Sequence, residues 1–255
     1  MAVEMNHVSF QYVSPQGTTP VLADFNLAVR PGEFVSLVGP SGCGKSTVFR
    51  LVAGLLQPSA GEVRVGGKLV TGRKGHVALM PQQDLLLPWR TVLENAVLFL
   101  EVQGVPKREA MERARSMAGL LGLAGFENAY PVQLSGGMRQ RVAFLRTALS
   151  GKQVLLLDEP FGALDALTRM EMQQWLLEVW EQLGNTVLFI THDVEEAVLL
   201  SDRVVVMGPR GSGFAMERTI PLPRPRDQHL VSDPTFVRYK AELLELLFQR
   251  REARV

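Results

Sequence analysis

Apolar residues follow two patterns along this chain: short unbroken runs, and longer stretches in which they recur at helical spacing. The run Phe34–Val38, apolar but for Ser36, predicts a buried strand. A glycine-rich loop follows. Residues 45–56 then take helical spacing, which Pro58 and Gly61 are expected to stop. Residues 62–65 and 76–80 read as further strands. From about 83 to 148 the pattern turns helical, with stretches at 91–101, 107–121 and 135–149. Strands and helices then alternate again: a strand at 153–157, a helix at 166–183, a strand at 186–190, a helix at 194–200 and a strand at 203–207. This rhythm predicts an α/β fold built on a mostly parallel sheet.

The expected organisation is a single domain. Residues 1–82 and 150–220 form its α/β core, 83–149 an inserted helical subdomain, and 221–255 a C-terminal extension. The extension opens with Pro221, Pro223 and Pro225, an extended connector. Asp233 then caps a last helix with Pro234 at its first position, and Phe236, Leu243 and Leu247 give that helix an apolar face for docking on the core.

The 255 residues suffice to bury a sizeable core. With 27 Lys and Arg against 26 Asp and Glu, no basic field draws in nucleic acid, so no nucleic-acid partner is expected. The sole cysteine, Cys43, precludes an intrachain disulfide and suits a reducing, cytoplasmic compartment. No signal peptide is expected, since no basic stretch leads into an apolar one near Met1. No apolar run approaches the roughly 20 residues that span a bilayer, so a membrane role requires a partner.

Gly39, Pro40, Ser41, Gly42, Cys43, Gly44, Lys45, Ser46 and Thr47 match the phosphate-loop pattern G-x-x-x-x-G-K-[ST], with a strand before and a helix after. Glycines let the backbone curl so that successive N–H groups face phosphate oxygens, and the helix adds its positive end. Lys45 reaches the β- and γ-phosphates and Ser46 ligates Mg²⁺. Cys43 is expected to fill the turn as a small residue. By itself the loop says nucleotide hydrolase or kinase. An acidic pair narrows the site: an apolar strand ends in the two carboxylates of Asp158 and Glu159. Asp158 suits the Mg²⁺ shell, and Glu159 suits a base that takes a proton from, or orients, the attacking water.

The segment Leu134, Ser135, Gly136, Gly137, Met138, Arg139, Gln140, Arg141 resembles the signature motif of ABC ATPases, and it precedes the acidic strand in the order that family uses. Ser135 can cap the following helix, and the glycines allow close backbone approach to a ligand. A second phosphate grip makes sense if two copies meet head to tail. The resemblance covers about residues 3 to 210. It implies that Tyr12 stacks on adenine, and that Gln82 lies in the loop contacting metal or water and linking to a membrane partner. It further implies that Asp165, after Ala163 and Leu164, faces the opposite subunit, and that His192 contacts the γ-phosphate. The implied fold is a P-loop NTPase core with an N-terminal antiparallel β part and the helical insertion. ATP and Mg²⁺ are the implied cofactors.

Residues 86–92, the Gly136–Arg141 segment and the tail from Asp233 look like those of nitrate, sulfonate and taurine importers. The resemblance thus implies an ATPase subunit of an importer, peripheral at the cytoplasmic face of the membrane. Its expected partners are a second copy, transmembrane permease subunits and, indirectly, a solute-binding protein. Leu86, Leu87, Pro88 and Trp89 would suit docking of a permease helix. Met80 and Pro81 stand where these importers commonly have an aromatic before Gln82, which implies a stiffer loop. Two other functions stay open: a soluble ABC ATPase acting on nucleic acid or ribosomes, and a P-loop kinase of small molecules. The presence of Lys45, Asp158, Glu159 and His192 argues against a silent scaffold.

Overall fold

A computed structural model describes residues 1–15, 17–212 and 215–252. In chain order the elements are β1 (Val3–Ser14), β2 (Gly17–Val29), β3 (Phe34–Val38), α1 (Lys45–Val52), β4 (Ala60–Val65), β5 (Lys68–Leu69) and β6 (Ala78–Met80). The helices α2 (Val92–Ala96), α3 (Leu98–Val102), α4 (Lys107–Leu120) and α5 (Gly136–Ala148) follow. The chain then returns to β7 (Val154–Asp158), α6 (Ala166–Leu183), β8 (Thr186–Ile190), α7 (Val194–Leu200), β9 (Arg203–Met207), β10 (Ala215–Thr219) and α8 (Pro234–Glu252).

Two sheets result. One is antiparallel, in the order β2-β1-β4-β5. The other has the order β10-β9-β3-β8-β7-β6, parallel except where β10 runs antiparallel to β9. The parallel strands are apolar on both faces because both faces are covered. Phe34 and Val38, Leu155 and Leu157, Val187 and Phe189 face one core, with α5, α6, α7 and α8. Val35 and Leu37, Val154 and Leu156, Leu188 and Ile190 face the other, with α1 and the antiparallel sheet. Each such side chain contributes about 1.5–3 kcal/mol by leaving water, and the period-two alternation locks the register, since a one-residue slip would exchange the two cores.

That register aligns the strand ends. Leu37 pairs with Ile190, and Ile190 with Asp158. The ladder continues one step past the strands, with Thr191 N–H donating to Leu37 C=O at 3.3 Å and Glu159 N–H to Ile190 C=O at 3.0 Å. The residues that leave β3, β7 and β8 therefore emerge side by side at the carboxyl edge, where open α/β sheets bind ligands.

Several boundaries differ from the sequence expectation. The helix begun at Lys45 ends at Val52, because Gly54 turns the chain at φ 69° and the Leu55 and Leu56 amides fold back to the Arg50 carbonyl. Gly61 lies inside β4 rather than before a strand. It stands at φ 84°, against the irregular stretch of β1, where a Cβ would come within 2.3 Å of the His7 carbonyl. Residues 91–101 form two short helices rather than one, the first fixed by a Thr91–Glu94 capping box. The strand expected over 76–80 narrows to β6, and that over 153–157 moves on by one residue to include Asp158. The strand β10, unforeseen, pairs with β9 at the sheet edge. Helix α8 docks as its spacing suggests, through Phe236, Tyr239 and Leu243. Its cap is also as expected: Asp233 Oδ1 accepts from Thr235 N–H at 2.7 Å. Among the described residues no helix is long and apolar enough to cross a membrane.

Candidate functional site

The phosphate loop leaves the end of β3 and enters α1 through Gly44, whose φ of 116° only glycine adopts freely. A Cβ there would also meet Val21 at 3.0 Å. No side chain caps α1, so its first-turn amides keep their donor capacity for an external anion. Lys45 is buried, its Nζ donating to the Gly39 carbonyl at 2.8 Å and the Pro40 carbonyl at 3.1 Å. Those bonds hold the ammonium over the loop, within it rather than out in solvent. Cys43 packs beneath the turn, and burial raises its thiol above the ordinary value, which leaves it a protonated filler.

A cleft of about 400 Å³ opens over this loop, lined by Tyr12, Ser41, Lys45, Thr47 and Glu159 among others. Tyr12 stands on β1, braced edge-on against Phe10 at 4.9 Å, with its hydroxyl 3.5 Å from that of Thr47. Two further cations line the cleft, Arg50 and Arg210, which the sequence reading passed over. Arg50 had a local signal, one helical turn beyond Ser46 on α1. Arg210 had none; it arrives because β9 lies beside β3.

Asp158 and Glu159 come off β7 together. The Asp158 carboxyl is raised above the usual range, first by burial and then by the Glu159 charge, with the Ser46 hydroxyl, Arg50 and Lys45 opposing. A divalent cation bound there would favour the ionised carboxylate and so oppose both causes. The donors at hand, a carboxylate, a hydroxyl and an amide carbonyl, are the hard oxygens that suit Mg²⁺. Among the described residues no group of three or more His, Cys, Asp or Glu is placed to hold a metal ion.

Glu159 sits at φ 44°, a left-handed backbone that costs a non-glycine residue about 1–3 kcal/mol and that only the surrounding structure can maintain. It turns the side chain toward the ends of the neighbouring elements. Its Oε2 accepts from Gln82 Nε2 at 3.3 Å and lies 3.3 Å from His192 Nδ1. The stretch after Gln82 is tied to α5: the Arg146 guanidinium donates to the Asp84 and Leu85 carbonyls, and Arg139 lies 3.4 Å from the Asp84 carboxylate. The apolar stretch at 86–89 splits. Leu86 packs partly against the core, while Trp89 is 71% exposed.

The structure thus gathers the phosphate loop, Asp158, Glu159, Gln82 and His192 at one sheet edge, with Tyr12 lining the same cleft from β1 of the antiparallel sheet. It leaves Ser135, Gly136, Gly137, Met138 and Asp165 away from the cleft. Ser135 caps α5, accepting from Met138 N–H at 3.2 Å. Gly137 lets α5 approach α6, where a Cβ would meet the Thr168 methyl at 3.0 Å. Asp165 caps α6 through Thr168 N–H at 3.1 Å, and its hydrogen bonds to Thr168 lower its carboxyl below the usual range. Taken as one copy, the chain brings the phosphate loop and the Glu159 carboxylate to one cleft, while the Ser135-capped N-terminal end of α5 lies away from it.

Comparison with known proteins agrees with this geometry. The family described as ABC transporter matches residues 22–162. The chain is 46% identical over 226 residues to an ABC transporter ATP-binding protein of Methanocaldococcus jannaschii, covering 89% of this chain and 84% of the relative. It is 40% identical over 258 residues to the taurine import ATP-binding protein TauB of Escherichia coli O157:H7, covering 98% and 99%. Among solved structures it resembles a dimeric ATP-binding cassette in a post-hydrolysis state bound to ADP and Pi. That match has a TM-score of 0.72 and 30% identity, over 87% of this chain and all of the other.

Proposed function

This chain belongs to the ABC transporter family and is an ATPase whose hydrolysis is coupled to transport, and from that premise we propose that it powers the import of a small solute of the taurine, sulfonate or nitrate kind. The observation that carries the reading is the meeting of Lys45, Asp158, Glu159 and His192 at one sheet edge, joined to full-length similarity to a taurine import subunit.

In this mechanism Tyr12 stacks on the adenine, and the loop amides and Lys45 hold the phosphates. Ser46, Asp158 and Gln82 would hold Mg²⁺, which when bound neutralises charge developing on the phosphate oxygens. Glu159 takes the proton of the lytic water and His192 contacts the γ-phosphate. Ser135, Gly136, Gly137 and Met138 of a second copy close over that phosphate head to tail, with Asp165 at the subunit contact. This gives the α5 end and the distant cleft a common purpose. The tie of Asp84 and Leu85 to Arg146 suits passing motion between the site and the inserted helices, here proposed as residues 83–149, and on to permease subunits met through the exposed Trp89. The chain would then sit peripherally at the cytoplasmic face of the membrane.

The test is to tag the subunit in its host, solubilise membranes in mild detergent and identify what co-purifies. Multi-span permease subunits, with a solute-binding protein that binds a sulfonate or nitrate, are the expected result. Recovery with nucleic acid or ribosomes from the soluble fraction would overturn the importer reading.

A further inference from the structure

Glu196 is a carboxylate only 5% exposed, on α7, one helical turn after His192. Nothing in the hydrolysis scheme uses it. Burying a carboxylate is costly unless its oxygens are satisfied, so its partners are informative. Its Oε1 accepts from Gln173 Nε2 at 3.0 Å, and it shares the lining of one small cleft with Thr191, whose hydroxyl favours the ionised carboxylate. Thr191, itself buried, also accepts from Asp193 N–H at 3.0 Å. One hydroxyl therefore bridges the backbone on both sides of His192, and it shares that cleft with the Glu196 carboxylate. Glu159, Thr191, His192 and Glu196 line one small cleft.

The chain of bonds continues outward. Gln173 Oε1 accepts from Gln228 Nε2 at 3.1 Å, and Gln228 also donates to the Met170 carbonyl at 3.2 Å. Gln228 belongs to the segment between β10 and α8. Beside it, the buried Arg226 donates to the Val198, Leu199 and Ser201 carbonyls at the C-terminal end of α7. The segment after β10 thus grips α7 at its far end and reaches its near end through Gln173 and Glu196.

We propose that Glu196 is a positioning residue for ATP hydrolysis: linked through Gln173 to Gln228 of the C-terminal segment, it fixes through Thr191 the turn that presents His192. The segment after β10 then sets the turnover rate without touching nucleotide. This rests on the role given to His192 above.

The test is a double-mutant cycle on the full-length chain, reading kcat and KM for ATP. Glu196→Ala is expected to lower kcat about tenfold with KM changed less than about twofold. Gln228→Ala, at the half-buried outer end of the relay, is expected to lower kcat about two- to threefold. Glu196→Gln, which keeps an oxygen acceptor for Gln173, is expected to restore most of kcat. In a His192→Ala background, both alanine variants should add no further loss, because their effect passes through that side chain. Equal losses with and without His192 would overturn the proposal, as would full kcat in both single alanine variants. A His192→Ala chain with undiminished kcat would instead overturn the role given to His192.

Discussion

Gln82 and Glu159 lie 77 residues apart and meet side chain to side chain, Nε2 donating to Oε2 across 3.3 Å. The same oxygen has His192 Nδ1 at 3.3 Å, so the carboxylate proposed as base is oriented from two sides. Glu159→Gln keeps the shape and removes the base. ATP turnover should fall by about 10²–10⁴-fold while ATP still binds, so the variant should elute as a dimer in ATP on size-exclusion chromatography. Monomeric elution at high protein concentration would contradict the shared site.

Lys45 spends its ammonium on two loop carbonyls and can exchange these for phosphate oxygens without moving into solvent. Charge-assisted bonds of this sort contribute about 1.5–3 kcal/mol. Lys45→Met, which keeps the apolar stem, should therefore weaken binding of a fluorescent ATP analogue by about 10–100-fold. Unchanged affinity would remove Lys45 from the site.

Arg226 is almost wholly buried and donates to five backbone carbonyls, those of Val198, Leu199, Ser201, Ile220 and Leu222. Burial, then the nearby Arg224 charge, lowers it to about 10. It is thus charged in folded and unfolded chains alike from about pH 6 to 9, and its contribution is constant there. Lysine has the charge but not the planar fork. Arg226→Lys should cost about 2–3 kcal/mol, read as a lower urea midpoint at unchanged slope. An unshifted midpoint would mean the carbonyls find other donors.

The Glu196 carboxyl is raised chiefly by burial, with Thr191 and Gln173 opposing and Asp193 adding to the rise. The folded state therefore binds this proton more tightly than the unfolded chain does. The stabilisation is complete below the unfolded value of about 4.3 and is lost as pH climbs through the raised folded value. Glutamine has no proton to lose. The thermal midpoint of Glu196→Gln relative to the parent should rise as pH goes from about 4 to 7. A difference that stays flat with pH would show that Glu196 titrates normally.

Sequence alone determined what local spacing and contiguous chemistry encode. The phosphate loop, the acidic pair and the signature segment were legible because each places its donors within a few neighbouring residues. Ala166–Leu183, Val194–Leu200 and the buried strands Thr186–Ile190 and Arg203–Met207 were legible from periodicity and from caps such as Asp233. Local spacing misled where a long-range contact overrode it, as at Gly61 against the His7 carbonyl. Only the tertiary structure decided that Leu37, Ile190 and Asp158 stand level, that Arg210 joins the cleft, and that Gln228 reaches Glu196 through Gln173. Those neighbours are set by strand order and register, which follow from burying both faces of one sheet at once, a condition that residues far apart in the chain satisfy jointly and that no single stretch of them contains.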